Sequence, residues 1–182
     1  MRLKQITASL LILLFAFSLT SCNGGKPHDF REVDFGMSIA EVSKKESAEY
    51  VYAADDFLFY NASMNGEDAE VYYYFVDDKL VEAECKFIIG ETTLSMNIER
   101  FKVFSNYITS LYGEPLNADY RKMLVDDLGE STGDGDHLLI YHHLIEYFQE
   151  WQTETAHITL LLNFKDEQVN YLYSAEALPT EE

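Results

Sequence analysis

A chain of 182 residues with 32 Asp and Glu against 13 Lys and Arg carries a formal charge of −19, which repels phosphate backbones, so nucleic acid is not an expected partner. Apolar residues make up 47% and aromatic ones 14%, far too hydrophobic for a disordered polymer, and the length suits one compact domain. The 13 Tyr and 12 Phe favour strands.

In chain order, Arg2 and Lys4 precede an apolar run from Ile6 to Leu19, interrupted by Thr7, Ser9 and Ser18. The run is shorter than the ~20 residues a membrane-spanning helix needs. A basic start, a short apolar centre and a small-residue end instead describe an export segment. Leu19-Thr20-Ser21-Cys22 resembles the cleavage site of bacterial lipoprotein signal peptides. That resemblance implies removal of residues 1–21 as a signal peptide, acylation of Cys22 (palmitate among the attached chains), and a protein held on the bilayer with its domain on the extracytoplasmic side of the bacterial cell envelope. Two or more acyl chains make such attachment stable where one is marginal. Losing Arg2 and Lys4, and no acidic residue, leaves a mature charge of −21. A domain that acidic does not adhere to anionic lipid by charge, so the lipid alone attaches it. Residues 22–34 are expected to form the lipidated N-terminus and a flexible tether, given Asn23, Gly24, Gly25, Lys26 and Pro27.

Ser38-Ile39-Ala40-Glu41 is a capping box, with Met37 and Val42 at the staple positions, and predicts a helix from Ile39 to about Ala48. Strand-like stretches follow at Phe57 to Ala62, Glu70 to Val76 and Lys79 to Ile89, with turns at Asn65-Gly66 and Asp77-Asp78. In the last of these, Val81, Ala83, Cys85, Phe87 and Ile89 alternate with Glu82, Glu84 and Lys86. This alternation makes Cys85 a buried apolar-face residue, and with Cys22 acylated no intrachain disulfide is possible. Leu94, Ile98, Phe101, Phe104, Ile108 and Leu111 recur at three- and four-residue spacings, predicting a second helix that ends at Tyr112-Gly113-Glu114-Pro115. Residues 116–136 read as an irregular acidic segment, and 137–144 fit helix and strand equally. Strands are expected around Tyr147 to Gln152, His157 to Phe164 and Gln168 to Tyr173, with a turn at Lys165-Asp166-Glu167 and a loose tail over 177–182.

The two halves thus match in order. The expected fold is α+β: one domain over 35–176, made of two helix-plus-three-strand-meander repeats (35–90 and 91–176), with the helices packed on one face of an antiparallel sheet. Phe35-Gly36-Met37-Ser38-Ile39-Ala40-Glu41-Val42 resembles the helix start of small bacterial envelope lipoproteins, which are similar in turn to the repeats of the β-lactamase-inhibitor-protein superfamily. Phe75-Val76-Asp77-Asp78-Lys79-Leu80 resembles that superfamily's hairpin and Tyr112-Gly113-Glu114-Pro115 its Gly-x-Pro element, although Glu46-Ser47-Ala48-Glu49 has no such element after the first helix. The resemblance implies binding or assembly work in the envelope and supplies no catalytic residue.

Candidate chemistry is sparse. Asp126, Asp127, Glu130, Asp134 and Asp136 offer oxygen ligands for a hard cation, but Leu138, Leu139 and Ile145 stand where a calcium loop needs a ligand, Gly and Glu. His137, His142 and His143 lack zinc-site spacing. There is no nucleophile elbow and no phosphate loop, so neither an enzyme nor a cofactor is expected. On an uncovered sheet face, Tyr72, Tyr74, Trp151, Tyr171 and Tyr173 would form an aromatic recognition surface. The preferred expectation is a lipid-anchored module that binds or assembles with another envelope or extracellular protein. The alternatives are a small-molecule or cation receptor and, less favoured, an envelope enzyme.

Overall fold

The computed structural model describes residues 27–89, 93–124, 135–166 and 168–179. Cys22, Asp126, Asp127, Glu130 and Asp134 lie outside them. In chain order the elements are α1 (Ile39–Lys45), β1 (Glu49–Ala54), β2 (Phe57–Met64), β3 (Glu67–Val76), β4 (Lys79–Phe87), α2 (Leu94–Tyr112), β5 (Arg121–Met123), α3 (Asp136–Tyr141), β6 (Ile145–Gln152), β7 (Ala156–Lys165) and β8 (Gln168–Ala177). The strands form one eight-stranded antiparallel sheet in the order β1-β2-β3-β4-β8-β7-β6-β5. The protein is therefore sheet-rich, with three helices among the described residues.

Local chemistry sets the joints. The Ser38 side chain accepts from the Glu41 amide while Glu41 takes the Ser38 amide, which closes the capping box of α1. Asn65 and Gly66 both have positive φ, as do Asp77 and Asp78, and such pairs make the tight hairpin turns whose twist matches the flanking strands. The second turn also seats α1, because the Asp78 Oδ1 accepts from the Ile39 amide at 3.0 Å. At the other end of α2, Gly113 takes φ 90°, a conformation open chiefly to glycine, and its N–H closes on the Thr109 carbonyl.

Strand alternation divides the sheet into two faces. One carries Leu58, Tyr60, Val71, Tyr73, Ala83, Cys85, Phe87, Ile145, Tyr147, Trp151, Ile158, Leu160, Leu162, Tyr171, Tyr173 and Ala175, all buried. Edge-to-face rings bring α2 onto these residues: Phe104 lies 5.1 Å from Phe87 and 5.5 Å from Tyr173, and Phe101 lies 5.4 Å from Tyr147. Between β4 and β8, Cys85 pairs with Tyr173 and Ala83 with Ala175, so the seam between the two halves is hydrogen-bonded and buried.

Several sequence expectations change. Helix α1 stops at Lys45, and Glu49–Ala54 forms an edge strand, so each half supplies four strands where three were expected, β5 being the fourth of the second half. A register shift beside Tyr74 leaves Val81 as an extra residue, half-buried, and Leu80 takes the core position in its place. The ambiguous 137–144 stretch is mostly α3. Residues 28–34 belong to the folded body, not to a tether: Phe30 and Val33 pair with each other around Arg31 at φ 52° and are fully buried. At the other end, Ala177 pairs with Ala156, and the Leu178 amide bonds to the Thr155 carbonyl at 2.9 Å. Residues 177 and 178 of the expected loose tail over 177–182 therefore belong to the fold.

Candidate functional site

The second face of the sheet has no buried residue at its strand positions; all are half-buried or exposed. The strand registers align its side chains in rows. One row runs Phe57, Tyr74, Glu82, Glu176, His157, Gln152 from β2 to β6, and the next runs Tyr52, Phe59, Tyr72, Glu84, Ser174, Thr159, Glu150 from β1 to β6. A third runs Asn61, Glu70, Lys86, Leu172, Leu161, Phe148. Read across the strands, the face is aromatic at β1–β3, acidic at β4, and polar with scattered apolar groups beyond.

The aromatic quarter is a stacked cluster. Phe59 and Tyr72 are near-parallel at 4.8 Å and 4°, Phe57 lies 5.8 Å from Tyr72 and 5.4 Å from Tyr74, and Tyr52 lies 6.4 Å from Phe57. Cross-strand aromatic pairs of this kind stabilise a sheet and leave their outer ring faces available. Tyr52 is 56% exposed, which is high for an aromatic side chain on a paired strand. The Tyr72 hydroxyl donates to Glu70 at 2.7 Å. Partial burial and that carboxylate raise the phenol pKa of Tyr72, and burial with Glu84 and Glu82 nearby raises that of Tyr74, so both remain neutral donors.

The acidic band holds carboxylates against their preference. Partial burial, then Glu176 directly opposite and Glu84 on the same strand, raises the pKa of Glu82. Burial raises that of Glu84 too, opposed by Lys86 and the Tyr74 hydroxyl. Farther across, His157 Nε2 lies 3.1 Å from a Glu150 oxygen and Lys122 sits 4.8 Å over the Phe148 ring. A depression of about 330 Å³ opens on this face, lined in part by Glu84, Lys86, Leu161 and Asn163.

Of the expected recognition aromatics, Tyr72 and Tyr74 sit on this open face, joined by Phe57, Phe59 and Tyr52, which sequence reasoning passed over. Their signal was present: Phe57 and Phe59 share the two-residue period of Tyr72 and Tyr74. The other three expected aromatics do not lie there. Trp151, Tyr171 and Tyr173 are buried in the core. Trp151 shares the inward period of Ile145, Tyr147 and Gln149, while Tyr171 stacks on Phe87 at 4.3 Å and Tyr173 on Phe30 at 4.9 Å. Alternation told which residues share a face but not which face the core covers.

Asp136, expected among the acidic loop ligands, is instead buried in the fold. Its carboxylate is 2% exposed, 2.9 Å from Arg121 Nε, and accepts from the Tyr147 hydroxyl. The other four acidic candidates, Asp126, Asp127, Glu130 and Asp134, fall outside the described residues. Among the described residues no three His, Cys, Asp or Glu side chains converge on a metal-sized site. His142 and His143 instead meet the rings of Tyr141 and Phe164. Cys85 is a free, buried thiol whose pKa burial pushes up to about 12, so it is not a nucleophile in the folded protein.

Two further clefts show where other buried polar groups are committed. One of about 720 Å³ touches Asp29, Lys79 and Glu154, yet Asp29 already accepts from the Phe35 amide at 3.0 Å and from the Thr155 hydroxyl. The other, about 620 Å³, touches Arg31, whose guanidinium is held by both oxygens of Glu46 at 3.0 and 3.1 Å. Among the described helices, none is long and apolar enough to cross a membrane. No protein-family model matches this chain, and neither a curated protein nor a solved structure proves significantly similar to it.

Proposed function

We propose that the protein is a bacterial envelope lipoprotein, acylated at Cys22, whose domain is a non-catalytic binding or assembly module for another envelope or extracellular protein. The observation that carries this reading is the uncovered sheet face, where Tyr52, Phe57, Phe59, Tyr72 and Tyr74 form one stacked cluster beside a band of carboxylates. Aromatic groups concentrated at a surface and ringed by polar ones are the composition of recognition interfaces. Such a face needs no catalytic group, and in the two clefts Asp29 and Arg31 are already used within the fold.

The same reading takes the two halves as one unit used twice, with its helices on the side of the sheet away from the aromatic face. The mirrored strand order supports it: β4 and β8 meet at the centre, and β1 and β5 lie at the edges. Crosslinking of the natively lipidated protein in cells, followed by affinity capture, tests the function. A specific protein partner is expected, lost when Phe59→Ala and Tyr72→Ala are combined. Recovery of no enriched partner overturns the reading. Growth with a labelled fatty acid tests the anchor, since Cys22→Ala is expected to abolish label incorporation.

A further inference from the structure

We infer that the open face receives a cationic surface of another protein, with a lysine or arginine side chain seated between the Tyr74 and Phe57 rings and the carboxylates of Glu82 and Glu176. This rests on the open face being the docking surface and names the chemistry of what docks there. The register sets Glu82 directly opposite Glu176, and like charges in directly opposed positions destabilise a strand pair. Glu84 stands two residues along from Glu82 on the same face.

The protein's own cations do not resolve that repulsion. Of the lysines on β4, both exposed, Lys79 pairs with Val76 and Lys86 falls in the row of Glu70 and Leu172, so neither stands in the row of Glu82 and Glu176. His157, directly opposite Glu176, has its Nε2 on Glu150. Among the described residues no Lys or Arg forms an ion pair with Glu70, Glu82, Glu84 or Glu176. The ring faces next in the row attract a cation by their quadrupole, most strongly when water is excluded. One lysine or arginine placed there therefore gains from rings and carboxylates together.

Charge also decides between occupants. A second copy at −19 would bring carboxylates against carboxylates, and an anionic lipid surface would be repelled in the same way. From β1 to β8 the face is about 19 Å across at the usual strand spacing, enough for a basic segment to lie over it.

The test places a photo-crosslinking residue at Lys86, on this face but outside the ring cluster, in the full lipidated chain in its native cells. A second probe at Val103, exposed on α2, serves as the control. The expected result is a crosslink from position 86 but not 103 to a different protein, through a peptide containing Lys or Arg. The yield is expected to fall about tenfold in the E82Q/E176Q double variant, with no loss of thermal stability, and to fall with added salt. A partner captured through a peptide without a basic residue, or unaffected by E82Q/E176Q, overturns the cationic inference and leaves docking standing. A crosslinked homodimer or lipid adduct also overturns it. No crosslink from position 86 overturns both readings.

Discussion

At the scale of single residues, the buried pair of Arg31 and Glu46 is the most exacting feature. Burial opposes the charge on each, but hydrogen bonds outweigh it. Arg31 gives Glu46 two N–H bonds, Tyr73 adds its hydroxyl and Ala48 its amide, which together hold the carboxyl below its ordinary range. Glu46→Gln leaves the guanidinium without a counter-charge and is expected to cost about 3 kcal/mol in urea unfolding. Because the folded pKa is depressed, this stabilisation is complete above the ordinary glutamate range and is lost as pH falls through the lower folded value. Glu82 has the opposite sign. Its folded pKa is raised, so the ionised group destabilises the fold at neutral pH, and the penalty fades as acid protonates it. Glu82→Gln is therefore expected to raise the melting temperature at pH 7, with the gain vanishing towards the ordinary carboxylate range. Cys85, with its thiol pKa pushed up by burial, is expected to resist a thiol-specific reagent in native buffer and to react once denaturant is added. Burial of Cys85 was legible from alternation alone. The Arg31–Glu46 pair was not, because a separation of 15 residues carries no periodic signal of contact.

At the scale of elements, what could be read depended on how much of each element is buried on one side. Helix α2 buries Ile98, Phe101, Phe104 and Ile108 at helical spacing and was legible in type and in its C-terminal end. Strand β1 was not, since five of its six residues are exposed and an edge strand without a buried face has no alternation to read. The placement of Trp151, Tyr171 and Tyr173 failed differently. Their periodicity was correct, but the choice of covered face depends on Phe30 and α2 arriving from elsewhere in the chain. The turn after α2 is a local matter and gives a local prediction. A Cβ at Gly113 meets no atom within 4 Å, so Gly113→Ala is penalised by backbone conformation alone. At φ 90° the loss is expected to be about 1 kcal/mol by chemical denaturation, without change in the circular dichroism spectrum.

At the scale of the whole molecule, a single sheet carries a large uncompensated negative charge. Its self-repulsion opposes compactness and is screened by salt. The melting temperature is expected to rise from low ionic strength to ~0.5 M NaCl in a thermal scan, and a flat response would show that the charge is locally neutralised. The segment just before α1 gives the fold a mechanical character. Phe30 stacks on Tyr173 of one half and meets Tyr73 of the other edge-on, while Asp29 holds Thr155 and the Tyr112 hydroxyl donates to the His28 carbonyl at 3.0 Å. Tension applied to the chain ahead of residue 28 therefore enters at the central seam and divides between both halves. A strand pulled from a sheet edge yields one hydrogen bond at a time. A segment packed across the seam on rings from both halves must lose its ring contacts and polar bonds together.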